Sequence, residues 1–153
     1  MPQLDMTQQE RHIRWYIYDF IVHNDRCPSL NEIAQEAKLS PLETEGLLRR
    51  LENEHSAIIL SPGSPNIWLA DPFAALPTSY PVIAGDHQWY GMCVWDALGI
   101  LAATKLDGHV PAVCPVSGAE LSLSVEQGKL INNDGLVHFA VPASDWWRDL
   151  GFT

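Results

Sequence analysis

The strongest constraint on the fold is a proline-rich segment near the middle of the chain. Residues 71–81 contain three prolines among eleven residues. Proline has no backbone N–H and fixes φ, so this segment cannot form a regular helix and interrupts any strand. We therefore predict a linker over residues 71–81, which separates one module over residues 1–70 from another over residues 82–153.

The first module has the sequence pattern of three helices followed by a hairpin. Apolar residues recur at helical spacing after Thr7. The capping-box patterns Ser29–Glu32 and Ser40–Glu43 then mark the starts of two further helices. Two short apolar runs flank the turn residues 61–65, which is typical of a hairpin. This order predicts a winged-helix-like helical module.

The distribution of charge argues against nucleic acid as a partner. The formal net charge is −10 and is spread along the chain. In a winged helix the third helix would read DNA, but here it carries four glutamates against two arginines. Such a surface repels phosphates, so we interpret the module as structural rather than as a DNA-binding regulator.

The sequence contains no pattern typical of a membrane span or an export signal. It has no run of about 18 apolar residues, and its first residues are neither basic nor strongly apolar. The chain has three cysteines, Cys27, Cys93 and Cys114, which lie far apart in the sequence. An odd number of widely spaced cysteines favours free thiols over a disulfide framework. We expect a cytoplasmic protein.

The second module is predicted to combine one helix with antiparallel hairpins. An apolar run over residues 92–104 has the length of a helix. Strands are expected at residues 82–83, 109–114, 121–125 and 136–141, with a turn at 132–135 and a short final helix at 145–150. The fold class is therefore α+β, a winged-helix-like module followed by a small α/β domain with antiparallel hairpins around one helix.

Cys93 and Asp96 are the residues that most strongly indicate chemistry, at the start of the apolar run. Positions i and i+3 lie on the same face of a helix, so the Cys93 thiol and the Asp96 carboxylate can both reach one bound atom. The positive end of the helix dipole favours a thiolate, the form that attacks electrophiles and binds soft metals. The alternative is that Cys93 is a small buried hydrophobe on a core helix.

The second module resembles the organomercurial (alkylmercury) lyase family in an ordered set of motifs. These are aromatic-x-x-Cys-x-x-Asp-x-Leu at 90–98, a cysteine before a Ser-Gly turn and a Ser-Leu strand at 114–123, Val-His-Phe at 137–139 and Asp-Trp at 145–146. The resemblance implies protonolysis of a carbon–mercury bond, which releases a hydrocarbon and Hg(II). It implies external thiols as co-reactants and no resident cofactor.

The resemblance also implies roles for individual residues. Cys93 would be the attacking thiolate, because Hg(II) prefers sulfur, and Asp96 would carry the proton to carbon and then contact the metal. Cys114 matches a cysteine that is usually structural in the family, and it is a candidate metal ligand if its hairpin brings it near Cys93. The family's second catalytic cysteine has no counterpart at residues 132–136.

Three functions remain open from the sequence. The first is an organomercurial lyase, and the second is a related enzyme that uses Cys93 on another small thiophilic substrate. The third is a non-enzymatic protein that binds soft metals or small ligands. Each of them implies a small-molecule partner rather than nucleic acid or a membrane.

Overall fold

The computed structural model describes residues 5–131, 135–139 and 141–148. The chain divides into two compact units, Met1–Leu76 and Pro77–Thr153. The first unit holds a three-stranded sheet and the second a five-stranded sheet, and the strand pairs described are antiparallel. Helices together with antiparallel sheets confirm the predicted α+β class.

The first unit contains three helices and then three short strands. These elements are α1 (Gln8–Asn24), α2 (Leu30–Ala37), α3 (Pro41–Asn53), β1 (Ile59–Leu60), β2 (Ile67–Ala70) and β3 (Phe73–Ala74). Each helix begins with a capping box, in which the N-cap hydroxyl and a glutamate three residues later accept from each other's backbone amides. The two predicted capping boxes are confirmed, while the winged-helix description stays a prediction.

The proline-rich segment contains more regular structure than the linker we expected. Phe73 and Ala74 form β3, which pairs with β2, and Phe73 is buried. The hydroxyl of Tyr18 donates to the carbonyl of Asp71 at 2.9 Å. The first part of the segment is therefore held within the first unit by a strand pair and a hydrogen bond.

The second unit places one helix against its sheet. Its elements are β4 (Tyr80–Ala84), β5 (His87–Gly91), α4 (Val94–Thr104), β6 (Gly108–Val113), β7 (Glu120–Glu126), β8 (Lys129–Leu130) and a 3₁₀ helix (Ala143–Arg148). The strand order is β5-β4-β6-β7-β8, and α4 packs against β4, β5 and β6. The core between them includes Val82, Trp89, Ile100, Leu101 and Val110.

Strands β4 and β6 run side by side but share few ladder hydrogen bonds. Ile83 of β4 pairs with His109 of β6. In that register Pro81 faces Pro111, and neither proline has an N–H to donate. The two strands nevertheless remain in contact, and α4 packs against both of them.

One strand of the second unit was not predicted, and one expectation was wrong. We did not predict β5, which occupies the residues just before the helix, because Trp89 and Gly91 owe their burial to contacts with other elements. The strand expected at 136–141 is irregular in its described residues, where Leu136 is 99% exposed and so has no apolar surface to pack against. The turn at 132–134 and residues 149–150 of the final helix lie outside the described residues.

No helix within the described ranges is both long and apolar enough to span a bilayer.

Glu10 is a buried carboxylate that links α1 to α3. It accepts from the backbone amide of Thr7 at 2.7 Å and from Arg50 Nε at 2.8 Å, and His55 Nε2 lies 3.6 Å away. The hydrogen bond from Arg50 contributes most to lowering the pKa of Glu10 to about 2. The carboxylate is therefore stabilised in its charged form by the fold.

We expect this stabilisation to be lost in acid. A carboxyl group with a lowered pKa stabilises the fold above its unfolded value of 4.5, and the contribution disappears as the pH falls towards about 2. Glu10→Gln should lower the free energy of unfolding by roughly 2–4 kcal/mol at neutral pH, measured by urea denaturation. The control is Glu36→Gln, because Glu36 forms an exposed pair with His12. A destabilisation by Glu10→Gln that did not shrink at pH 3 would contradict this.

Candidate active site

Cys93 lies at the junction between β5 and α4. It is the N-cap residue of α4, with extended backbone (φ −142°, ψ 177°), and its carbonyl accepts from the amide of Ala97 at 3.0 Å. Its side chain is half-buried. The thiol therefore lies at the amino end of the helix, as the sequence predicted, although the backbone of Cys93 is extended rather than helical.

The junction is tight enough to require glycine at position 91. A Cβ on Gly91 would lie 2.5 Å from the backbone N of Ala97 and 2.9 Å from the carbonyl O of Cys93. On the other side, Thr78 Oγ1 donates to the carbonyl of Gly91 at 2.5 Å and accepts from the amide of Tyr80 at 3.1 Å. These contacts fix the backbone that carries the thiol.

Asp96 lies in the first turn of α4, three residues after Cys93, and its carboxylate acts on the pKa of the Cys93 thiol. Burial raises the pKa of Cys93 above its usual range, and the negative charge of Asp96 raises it further. The backbone amides of Asp96 and Trp95 lower the pKa but do not offset these effects. The amides at the start of α4 favour the thiolate, as the sequence predicted, but burial and the adjacent carboxylate outweigh them and keep the pKa of Cys93 raised.

Cys114 follows β6 in the turn that leads to β7. The turn is closed by hydrogen bonds from the amide of Cys114 to the carbonyl of Ala119 and from the amide of Gly118 to the carbonyl of Cys114, both 2.8 Å. The hydroxyl and the amide of Ser117 and the amide of Val116 lower the pKa of Cys114. The sequence predicted the Ser-Gly turn after Cys114 but not its effect on the pKa of the thiol.

Cys27 differs from both other cysteines. It belongs to the first unit, and burial raises its pKa to about 12. A thiol with this pKa stays protonated and unreactive at neutral pH. Within the described ranges, no three His, Cys, Asp or Glu side chains converge as a metal site, so Cys93, Asp96 and Cys114 do not form one three-ligand cluster.

Aromatic side chains lie next to the Cys93 junction. Trp95 is 60% exposed, and its ring meets Phe139 edge-on with 6.3 Å between centroids. Phe139 packs against Trp146 at 4.8 Å, and Trp146 Nε1 donates to the carbonyl of Val141 at 3.1 Å. The same segment forms a groove of about 530 Å³, lined by Val137, His138, Phe139, Val141, Pro142, Ala143 and Trp146. The Val-His-Phe segment thus brings apolar surface beside the start of α4.

The fold and this junction define an α+β protein with a thiol–carboxylate pair at a strand–helix turn. Residues 73–152 match the model of the family described as "MerB: Alkylmercury lyase". Because the match covers more than half of the chain, the chain belongs to the alkylmercury lyase family.

The fold is also similar to a solved structure, "Crystal structure of the mercury-bound form of MerB2". The TM-score is 0.65 and the sequence identity 16%, over 84% of this chain and 61% of that chain. The chain thus spans less than two thirds of that protein's length, and at this identity the likeness concerns the fold. A comparison with curated proteins found no match.

Gly91→Ala tests whether the close approach of strand and helix holds the site. The added methyl group has no room beside Ala97, so the free energy of unfolding should fall by about 1–3 kcal/mol, measured in urea. Gly46→Ala is the matched control, because Gly46 lies within α3 and has no atom within 4 Å of its added Cβ. That control should be stabilising by roughly 0.5–1 kcal/mol. Equal effects of the two substitutions would contradict the assignment.

The pKa shifts of the three cysteine thiols predict the order in which they react with an alkylating reagent. In the native protein near pH 7.5, iodoacetamide should modify Cys114 first, then Cys93 and last Cys27, as followed by mass spectrometry of peptides. Asp96→Asn removes the charge that raises the pKa of Cys93, so alkylation of Cys93 should become severalfold faster. Unchanged alkylation of Cys93 in that variant would show that the carboxylate does not act on the thiol.

Proposed function

We propose that the protein cleaves carbon–mercury bonds by protonolysis, with Cys93 as the attacking sulfur and Asp96 as the proton carrier. The observation that carries this proposal is the placement of Cys93 at the N-cap of α4 with Asp96 in the first turn of the same helix. Membership of the alkylmercury lyase family supports the substrate class.

The raised pKa of Cys93 suits this chemistry, because the thiol brings the proton that the carbon needs. The substrate is R–Hg–X, where X is a small thiolate. As the sulfur of Cys93 bonds to mercury, the thiol loses its proton, since a metal-bound thiol is deprotonated. Asp96 accepts this proton and delivers it to the carbon while the C–Hg bond breaks and its electron pair forms the C–H bond.

The products of this step are the hydrocarbon R–H and Cys93–S–Hg–X, without any change of oxidation state. An external thiol then takes the mercury and returns a proton to Cys93. The need for reduced thiols supports the expectation of a cytoplasmic protein. The exposed ring of Trp95 and the apolar groove of the Val-His-Phe segment provide surface suited to an organic group.

Hydrocarbon release tests the proposal directly. Purified protein with methylmercury or phenylmercury and excess thiol should release methane or benzene, measured by gas chromatography. Cys93→Ser should reduce release to background, and Asp96→Asn should slow it by about 100-fold or more, as expected for loss of a positioned proton carrier. Cys27→Ser is the control with unchanged activity, because burial raises the pKa of Cys27 to about 12 and keeps this thiol unreactive.

Absence of product above the Cys93→Ser background would overturn the proposal. Retention of Hg(II) without hydrocarbon release would then support the soft-metal-binding alternative. A Cys93 that still reacts with other small thiophilic compounds would support the related-enzyme alternative.

A further inference from the structure

We propose that Thr78 is a positioning residue of the site, because its hydroxyl holds the strand end that places the thiol of Cys93. The hydroxyl acts on the backbone that leads to the thiol and not on the reacting atoms. The inference rests on the proposed function for the reaction that this placement serves. The placement itself, however, can be tested without any carbon–mercury substrate.

Thr78 lies where the chain enters the second unit. That unit begins at Pro77 and its first strand begins at Tyr80, so Thr78 belongs to neither a helix nor a strand. Its side chain nevertheless makes two hydrogen bonds and plays a different role in each. The hydroxyl donates to the carbonyl of Gly91 at 2.5 Å and accepts from the amide of Tyr80 at 3.1 Å. One side chain therefore contacts the backbone of both β4 and β5.

These two bonds close the open end of the β4–β5 ladder. Tyr80 and Gly91 form the last pair of that ladder. A hydroxyl has a single proton, so donation to Gly91 leaves its lone pairs for the amide of Tyr80. Because hydrogen bonds in a chain polarise one another, the bond that the hydroxyl accepts strengthens the bond that it donates. The carbonyl of Gly91 is thus held more firmly than the ladder alone would hold it.

The position of Gly91 determines the position of Cys93. A Cβ on Gly91 would lie 2.5 Å from the backbone N of Ala97 and 2.9 Å from the carbonyl O of Cys93, so this strand end lies directly against the first turn of α4. Cys93 follows two residues later with extended backbone, and Asp96 lies in the same first turn. Gly91 is therefore in contact with both Thr78 and the helix, and a shift of Gly91 would move the thiol relative to the carboxylate.

The proposed reaction requires this alignment. The sulfur of Cys93 bonds to mercury while Asp96 delivers a proton to the carbon on the same mercury, so both groups act on one substrate at once. A misplacement of about 1 Å can slow such a reaction by about 100-fold, even when it arises away from the chemistry. Loss of the Thr78 hydroxyl should therefore lower kcat, whereas a purely structural role would lower only the stability of the fold.

The experiment compares two substitutions of Thr78 in the full chain. Thr78→Val removes the hydroxyl and keeps the branched shape, while Thr78→Ser keeps the hydroxyl. With phenylmercury and excess thiol, Thr78→Val should lower kcat for benzene release by about 10-fold or more and leave KM nearly unchanged. Thr78→Ser should retain most of the activity.

Thr104→Val is the matched control. Thr104 Oγ1 donates to the carbonyl of Ile100 at 2.8 Å, so this variant loses the same kind of bond at the far end of α4. It should keep the kcat of the unsubstituted protein, and urea denaturation verifies that each variant is folded under the assay conditions. Equal losses of kcat in Thr104→Val and Thr78→Val, or an unchanged kcat in Thr78→Val, would overturn the inference.

The placement of the thiol is measured separately by the pH dependence of Cys93 alkylation with iodoacetamide. Burial contributes most to raising the pKa of Cys93 above its usual value of 9.0. A strand end released from Thr78 exposes the thiol, so Thr78→Val should bring this pKa down towards 9.0, while Thr78→Ser and Thr104→Val should not. An unchanged alkylation profile in Thr78→Val would contradict the inference.

A third measurement needs no substitution at Thr78. In the native chain with isotope-labelled threonine methyl groups, alkylation of Cys93 should shift the NMR resonance of the Thr78 methyl group and leave that of Thr104 in place. The reason is that a coupling between two positions acts in both directions. A Thr78 resonance that does not respond to modification of Cys93 would also overturn the inference.

The outcomes separate this inference from the proposed function. A changed alkylation profile in Thr78→Val without hydrocarbon release from the unsubstituted protein would support the inference and contradict the lyase. Equal hydrocarbon release from the unsubstituted protein and Thr78→Val would contradict the inference and leave the lyase in place.

Discussion

The close approach of Gly91 to the first turn of α4 is the contact on which the rest of the site depends. Because this residue has no side chain, the strand end and the helix start touch, with the backbone N of Ala97 only 2.5 Å from where a Cβ would be. Cys93 is thereby held at the helix N-cap, and Asp96 follows one turn later. Thr78 holds the same strand end from the neighbouring strand, so both sides of the junction are fixed.

The two cysteines of the second unit have environments that shift the pKa of their thiols in opposite directions. Burial and a carboxylate raise the pKa of Cys93, whereas an exposed turn with a hydroxyl and two amides lowers the pKa of Cys114. A sulfur that keeps its proton suits the protonation of carbon that we propose for Cys93. The difference in pKa follows from where each cysteine lies, Cys93 at the start of α4 and Cys114 in the turn after β6.

Sequence patterns predicted the elements whose signals are local. The capping boxes at Ser29 and Ser40, the apolar run of α4 and the alternation of β6 and β7 all depend on residues within a few positions of one another. The strand β5 was missed because Trp89 and Gly91 owe their burial to contacts with other elements. The strand expected around Val137 was wrong, because an apolar sequence forms a strand only where a partner and a buried face exist.

The sequence by itself determined the family, the Cys93–Asp96 pair and its place at a helix start, since these depend on residue identity and short spacing. Only the tertiary structure decided which thiol keeps its proton, because burial and neighbouring charges set the pKa. It also decided that Thr78 donates a hydrogen bond to the end of β5, two residues before Cys93. Residues far apart in the chain become neighbours through strand register, which no local pattern specifies.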